Sequence, residues 1–327
     1  MKLTRRSAVK GMAALALGSG VIRPAHASNL KWAHVYETGE PFHQQALWAA
    51  EEIRRRTDGR VNITVFPASQ LGNESQLNEA LSLGTIDIIY TGAAFAGVNY
   101  PPISISHAPY MFRDFGHWQA YRQSEVFARN AAAYQENTGQ RLVTLTYYGE
   151  RHLTANQAIT RPGQMRGLKL RVPPVPVFLM FSQAVGAEAT PIAFADVYDA
   201  LKRGLVEAQE NPLPTIMAKK FHEVQSHIML TGHITDSLLT LVGGHVWAGL
   251  SDDQKTIMED VLRTAANRAT EEIRKAETEL VGAFKRLGVT VVEVDRQAFI
   301  NAVVPLHNNS KAGATWGRAD YDALQAL

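Results

Sequence analysis

Arg171 closes the run Gly167-Leu168-Lys169-Leu170-Arg171-Val172-Pro173, in which Leu168, Leu170 and Val172 alternate with Lys169 and Arg171. That alternation is the period of a strand with one buried face, and Pro173-Pro174 ends it. Arg171 is therefore expected at a strand tip, directed away from the core that its neighbours fill. In α/β domains ligands bind beyond the carboxyl ends of strands. A guanidinium there offers a rigid fork of donors suited to a carboxylate. The alternative for the same residue is a surface arginine in an ion pair.

Other polar residues are expected to converge on the same place. Asn211 precedes Pro212, which holds its backbone extended, and its amide both donates and accepts. Glu210 is placed to hold Arg171 from behind. Glu37, Asn73 and Asp236 fall on expected loops that face the cleft, and His34 joins them. Acidic and amide groups there accept hydroxyl protons and repel a second carboxylate. His233, in Thr231-Gly232-His233-Ile234-Thr235-Asp236, either faces the cleft with Asp236 or is a hydrogen-bonded core histidine. Phe194 lies on a loop at a helix start, near the end of the Arg171 strand, where it either packs in the core or meets a ligand.

Catalytic signatures are missing from the sequence. There is no G-x-S-x-G elbow and no G-x-x-x-x-G-K-[ST] phosphate loop. The chain has no cysteine, hence no disulfide and no thiolate nucleophile. His222 and His227 are five apart, which on a helix leaves them about 140° apart, so they do not form a zinc site. No cofactor, metal or catalytic residue is expected. An enzyme using the same cleft would need an acid or base within reach of substrate, and His233 or Glu37 would have to serve.

The elements that position these residues are legible from periodicity. Leu30, Trp32 and His34 alternate as a strand; Pro41 opens a helix with Phe42, Ala46, Ala49, Ala50 and Ile53 on its apolar face; Val61, Ile63 and Val65 return as a strand. Strand–helix–strand is the unit of a parallel sheet. Asn73 with Gln76 predicts a capping box and a helix to Gly84. Strands are expected at Ile86–Tyr90 and Gln140–Tyr147, a loop over Asn99–Pro109, and one helix through Trp118–Gln135. Pro176 opens a helix that Gly186 ends, and Ala195–Gly204 is another. From Ser251 to Leu287, apolar residues recur every three or four positions with no Pro. At 1.5 Å per residue this helix would run roughly 55 Å, longer than one domain is wide, so it is expected to bridge two.

The blocks Arg151-His152-Leu153-Thr154-Ala155-Asn156, Thr160-Arg161-Pro162 through Gly167–Pro173, Thr190–Leu201 and Val206–Pro212 together resemble the DctP-type solute-binding proteins of tripartite ATP-independent periplasmic (TRAP) transporters. Weaker resemblance covers the rest of the chain after residue 27. It implies an α/β, two-lobed periplasmic binding protein fold with a long domain-spanning helix. The family arrangement implies lobe I from 28–148 and 237–275, and lobe II from 149–236 and 276–327. It also implies that Arg151 and Asn211 line the site with Arg171, and that Phe194 lies against the ligand.

Thr4–Lys10 carries paired arginines, Gly11–Ile22 is mildly apolar, and Ala25-His26-Ala27 fits a cleavage site. Residues 1–27 thus read as a signal peptide of the twin-arginine type, with an ordinary secretory signal as the alternative. They hold five of the 33 cations and no acid, leaving 28 cations against 31 acids. A mildly acidic mature chain suits neither nucleic acid nor an anionic membrane, and no apolar run is long enough to span a bilayer.

The expectation is a monomeric periplasmic receptor that closes on a small organic acid and delivers it to the membrane subunits of a TRAP transporter. One carboxylate plus several hydroxyls, a hydroxy monocarboxylate or sugar acid, fits the mixture of cleft residues best. A C4-dicarboxylate is the alternative ligand, and a sensor feeding a receptor kinase would share the fold.

Overall fold

The computed structural model describes residues 28–327, so the expected signal segment 1–27 lies outside the described residues. Strand β1 (Ser28–Ala33) leads to helix α1 (Pro41–Arg56), whose Phe42, Ala46, Ala49, Ala50 and Ile53 are buried, and on to β2 (Val61–Phe66), parallel to β1. Helix α2 (Glu74–Ser82) opens on the expected capping box: Asn73 Oδ1 accepts from the Gln76 N–H at 3.0 Å, and Gln76 Oε1 accepts from the Asn73 N–H at 2.9 Å. Strand β3 (Ile88–Gly92), two residues later than periodicity suggested, is again parallel to β1.

The remaining strands are β4 (Arg141–Ala155), β5 (Lys169–Val172), β6 (Glu188–Pro191), β7 (Ala208–Pro212), β8 (His227–Val242) and β9 (Thr290–Val292). They lie in the order β2-β1-β3-β8-β4-β7-β5-β6, with β9 on β8. The long strands β4 and β8 run antiparallel through both halves. At one end, Leu238–Val242 of β8 pairs with β3 and with the start of β4; at the other, Arg151–Ala155 of β4 pairs with β7, and His227–Met229 of β8 pairs with β9. The first lobe is thus built on β1–β3 and the second on β5–β7. The lobe boundaries expected at 148/149 and 236/237 fall inside β4 and β8.

The helix Asp252–Arg286 is the domain-spanning element, capped by Ser251 and Gln254 as their spacing predicts. Its residues from Met258 to Ile273 enter the main core, and Phe284 enters a second core with Val197, Leu201 and Ile216. Among the described residues no helix is long and apolar enough to cross a membrane.

Four local expectations are corrected. The segment read as loop over Asn99–Pro109 contains a 3-10 helix, Pro101–His107, because its apolar Ile103 and Ile105 are buried. The helix read through Trp118–Gln135 is two, Phe115–Arg122 and Glu125–Thr138, since Ser124 caps the second through the Phe127 N–H. Strand β4 continues eight residues beyond Tyr147, so Arg151 lies within a strand rather than after one. Asp236 likewise sits in β8, not on a loop.

At the crossing, β4 breaks register between Tyr147 and Gly149 and again between Arg151 and Leu153. Such irregularities bend a strand and re-aim its side chains. Gly149 has φ +121°, and a Cβ there would stand 2.8 Å from Pro212 Cβ and 2.9 Å from Glu277 Oε1. Glu277, on the long helix, accepts from the Glu150 N–H at 2.6 Å and the Tyr147 hydroxyl at 2.9 Å. A second bridge joins the lobes. Glu40, at the start of α1, accepts from the Glu37 N–H at 2.8 Å and from the Thr215 hydroxyl, on the helix Leu213–Ala218 after β7, at 2.7 Å. Burial pushes the Glu40 carboxyl up to about 7.

Two outcomes follow. Gly149→Ala should cost about 1–3 kcal/mol and lower the melting temperature. Gly163→Ala, with open space around it and no positive φ, should stay within about 0.5 kcal/mol; equal melts for the two variants would refute the account of the crossing. Because folding raises the Glu40 pKa, the native state binds its proton more tightly than the unfolded chain. This contribution to stability is therefore full below about 4.5 and falls away as pH rises to about 7. Wild type should gain on Glu40→Gln by roughly 2–4 kcal/mol between pH 8 and pH 5, measured as the difference between their melts at each pH. A flat difference would contradict it.

Candidate functional site

A cleft that, with its open solvent included, holds about 530 Å³ of space lies between the lobes. The first lobe contributes Tyr36, Asn73, Glu74 and Phe95; the crossing contributes Tyr148, Arg151 and Asp236; the second lobe contributes Arg171, Phe178, Phe194 and Asn211. Arg171 is the penultimate residue of β5, which ends just before Pro173 and Pro174 as its run predicts.

The two cavity arginines are in different electrostatic states. Arg151 is buried and paired with two carboxylates. It forms a two-pronged pair with Glu210, Nη2 to Oε1 at 2.8 Å and Nε to Oε2, and its Nη1 donates to Asp236 Oδ2 at 2.7 Å. Nη2 also reaches the Glu210 carbonyl at 2.7 Å and Asn211 Oδ1 at 3.2 Å, while the guanidinium lies 5.1 Å from the Phe178 ring centre. Burial alone would lower the Arg151 pKa, but Glu210 and Asp236 hold it above the ordinary arginine range. Burial would likewise raise both carboxyls. Arg151 and His233 instead hold Glu210 below the usual carboxylate range, and His107 and Arg151 bring Asp236 down to about 2. The other Asp236 oxygen faces His107 Nε2 at 2.6 Å and accepts from the Ser237 N–H at 2.6 Å.

Arg171, only 2% exposed, has no such partner. Its Nε and Nη2 donate to the Ile192 carbonyl at 2.9 and 2.7 Å. Among the described residues no carboxylate lies within ion-pair distance of it, and Nη1 makes no hydrogen bond. Burial pulls its pKa down to about 10; Glu210 opposes this and Arg151 adds to it. It remains a cation at neutral pH with donors facing the cavity, and that is chemistry for one carboxylate.

The other residues singled out from the sequence divide. Asn211 lines the cavity beside Arg151, its Nδ2 donating to Gln209 Oε1 at 2.6 Å. Phe194 lines it too, half-buried, with Lys219 Nζ 5.1 Å from its ring centre. Asn73 lines it, but its side-chain oxygen serves the α2 cap. Asp236 lines it with both oxygens engaged. Glu210 pairs with Arg151, not Arg171: β7 lies between the strands of both arginines, and its register sets Glu210 opposite Leu153, two residues from Arg151.

Three residues do not reach the cavity wall. Glu37 pairs with Lys219 of the other lobe at 2.8 Å. His34 is fully buried, accepts from the Tyr36 N–H at 3.2 Å, and lies 3.3 Å from His43; burial lowers it to about 3, so it is neutral. His233 is buried, stacks on Phe181 with ring centres 4.0 Å apart and lies 3.3 Å from Glu210 Oε2. Sequence reasoning missed Glu74, Tyr148, His107 and Phe178 as wall residues. Glu74 adjoins the recognised cap Asn73, so the cap itself was the signal. His107 lay in the segment read as loop, and Phe178 in a run read only as helix.

The profile described as bacterial extracellular solute-binding protein, family 7, matches residues 32–313. A sialic acid-binding periplasmic protein of Vibrio cholerae is 30% identical over 86% of this chain and 88% of its own. A solute-binding protein of Roseobacter denitrificans is 32% identical over 91% of this chain and 90% of its own; its crystal structure, with bound L-galactonate, superposes with a TM-score of 0.86 at 28% identity, covering 92% and 98% of the two chains. A TRAP periplasmic solute-binding protein of Polaromonas bound to D-erythronate gives a TM-score of 0.86 at 28% identity, covering 92% and 99%. These relatives are binding proteins, not enzymes, and the chain belongs to bacterial extracellular solute-binding protein family 7, the DctP family of TRAP transporter receptors.

Proposed function

We propose that this receptor captures a small hydroxy monocarboxylate, a sugar acid or a close analogue, with its single carboxylate on Arg171. One observation carries the reading: of the two buried arginines lining the cavity, Arg151 is already neutralised by Glu210 and Asp236, and Arg171 has no carboxylate in contact. A second ligand carboxylate would find no unpaired arginine and would meet Asp236 and Glu74 instead. An unpaired buried carboxylate is costly, which disfavours the C4-dicarboxylate alternative. The ligands named for the Vibrio, Roseobacter and Polaromonas relatives, sialic acid, L-galactonate and D-erythronate, are all hydroxylated acids with one carboxylate.

Residues 1–27 would direct the chain to the periplasm. The lobes, 28–148 with 237–275 and 149–236 with 276–327, would close by hinge motion about β4 and β8. Ligand contacts made only in the closed form would stabilise it, and the closed form would dock on the transporter's membrane subunits. The Glu37–Lys219 pair and the Glu40–Thr215 hydrogen bond are contacts that opening would break.

With Nε held by Ile192, the bound carboxylate takes the Nη1 and Nη2 edge of Arg171. Removing one partner of such a buried pair costs about 2–5 kcal/mol, roughly 30-fold to a few thousandfold in affinity. Arg171→Ala should show that loss by calorimetry, and Arg171→Lys most of it, because a point charge does not replace the fork. Thermal shift against D-erythronate, L-galactonate, D-glucuronate, pantoate, succinate and malate identifies the class. A ligand at about 1,000 times its Kd adds roughly 4 kcal/mol. Shifts by succinate or malate alone, or an Arg171→Ala affinity within threefold of wild type, would contradict the proposal.

A further inference from the structure

Across the cavity from Arg171, the first lobe presents the start of α2, and Glu74 is the acidic residue there. Its Oε1 accepts from the Gly92 N–H at 2.6 Å and from the Thr91 hydroxyl at 3.1 Å. Asn78 braces this arrangement: its Nδ2 donates to Thr91 Oγ1 at 2.8 Å and to the Glu74 carbonyl at 2.8 Å. The side chain is therefore held by one oxygen, while Oε2 has no hydrogen-bond partner among the described residues. Of the acidic side chains on the cavity wall, Asp236 spends both oxygens on Arg151, His107 and Ser237, so Glu74 alone retains an acceptor.

Resting on the reading of Arg171 as the carboxylate anchor, the geometry points to Glu74 as the specificity-determining residue of the cleft, taking a ligand hydroxyl on Oε2 and excluding a second ligand carboxylate. A fixed acceptor rewards a hydroxyl and repels an anion. A site built to hydrogen-bond a hydroxyl also rejects the analogue that lacks it, because its own polar group is then left unpaired. Burial pushes the Glu74 carboxyl up to about 7, and the nearby Asp236 adds to this, so the charged acceptor predominates above that pH and the binding comparisons are made at pH 8.

Glu74→Gln is the informative variant. Its amide oxygen can keep the Gly92 and Thr91 contacts while the amide nitrogen replaces the free acceptor with a donor. By calorimetry, D-erythronate or L-galactonate, whichever binds wild type more tightly, should weaken about tenfold to a hundredfold, the worth of a hydrogen bond to a charged group. Succinate should strengthen, so that selectivity for the hydroxy acid over succinate falls at least tenfold. Melting of the ligand-free variant shows whether it is folded. A second arm uses wild type alone: of analogues of the better ligand lacking one hydroxyl each, at least one should bind tenfold or more weaker and the same analogue should be indifferent to Glu74→Gln. Selectivity within threefold of wild type in Glu74→Gln, or deoxy analogues that all bind like the parent, overturns the role of Glu74 while leaving the Arg171 anchor standing. Wild-type preference for succinate overturns the hydroxy-monocarboxylate reading together with the role of Glu74, and an Arg171→Ala affinity within threefold of wild type overturns the anchor.

Discussion

The guanidinium of Arg151 is enclosed by Glu210 and Asp236, one cation between two carboxylates, and the cleft depends on how that charge is settled. Buried ions are costly unless paired and hydrogen-bonded, and Arg151 is paired twice with protein carboxylates, leaving one Nη1 N–H without an acceptor among the described residues. The cluster keeps one surplus negative charge. Glu210 acts through space to favour the charged form of Arg171 against the cost of its burial, without occupying its donors. Arg171 can therefore stay charged inside the cavity with one edge free for a solute. An arginine in direct contact with a carboxylate would have been the more stable arrangement and a worse receptor.

This cluster exists only because of the sheet's connectivity. Arg151 comes from β4, Glu210 and Asn211 from β7, and Asp236 from β8, three strands that lie side by side where the two lobes meet. Two strands long enough to serve both lobes bring these residues together, and the irregular register at Gly149 and Arg151 aims Arg151 inward. The long helix braces the same place through Glu277 and Glu150. Geometry at the site and continuity between the lobes are thus one feature.

Much of this was legible in the sequence, for physical reasons. Alternation at Leu168–Val172 located β5 and put Arg171 at its end, and the paired signals Asn73/Gln76 and Ser251/Gln254 fixed two helix starts. The extent of β4 was not legible: past Tyr147 the run Tyr-Gly-Glu-Arg-His has no period, because a strand bulged at a lobe junction is buried on both sides and bent. For the same reason Asp236 read as loop. Partner choice was not legible either. Glu210 lies between the strands of both arginines, and which one it meets depends on the pairing register, a long-range property. His233 and His34 looked like cleft residues because a histidine's polarity says nothing about which wall it faces; the stack on Phe181 and the contact with His43 are what place them in the interior.

The 2% exposure of Arg171 has a kinetic meaning. Under the proposed hinge motion, a solute whose carboxylate sits on that guanidinium would leave by way of the open form, and the rate of opening would then limit the rate of release. Affinity gained by slowing that opening lengthens the residence time of every captured molecule and, with it, the cycle time of whatever receives the cargo. On that reading the balance between scavenging and throughput would lie with Glu37 and Lys219 and with Glu40 and Thr215, which touch each other across the gap.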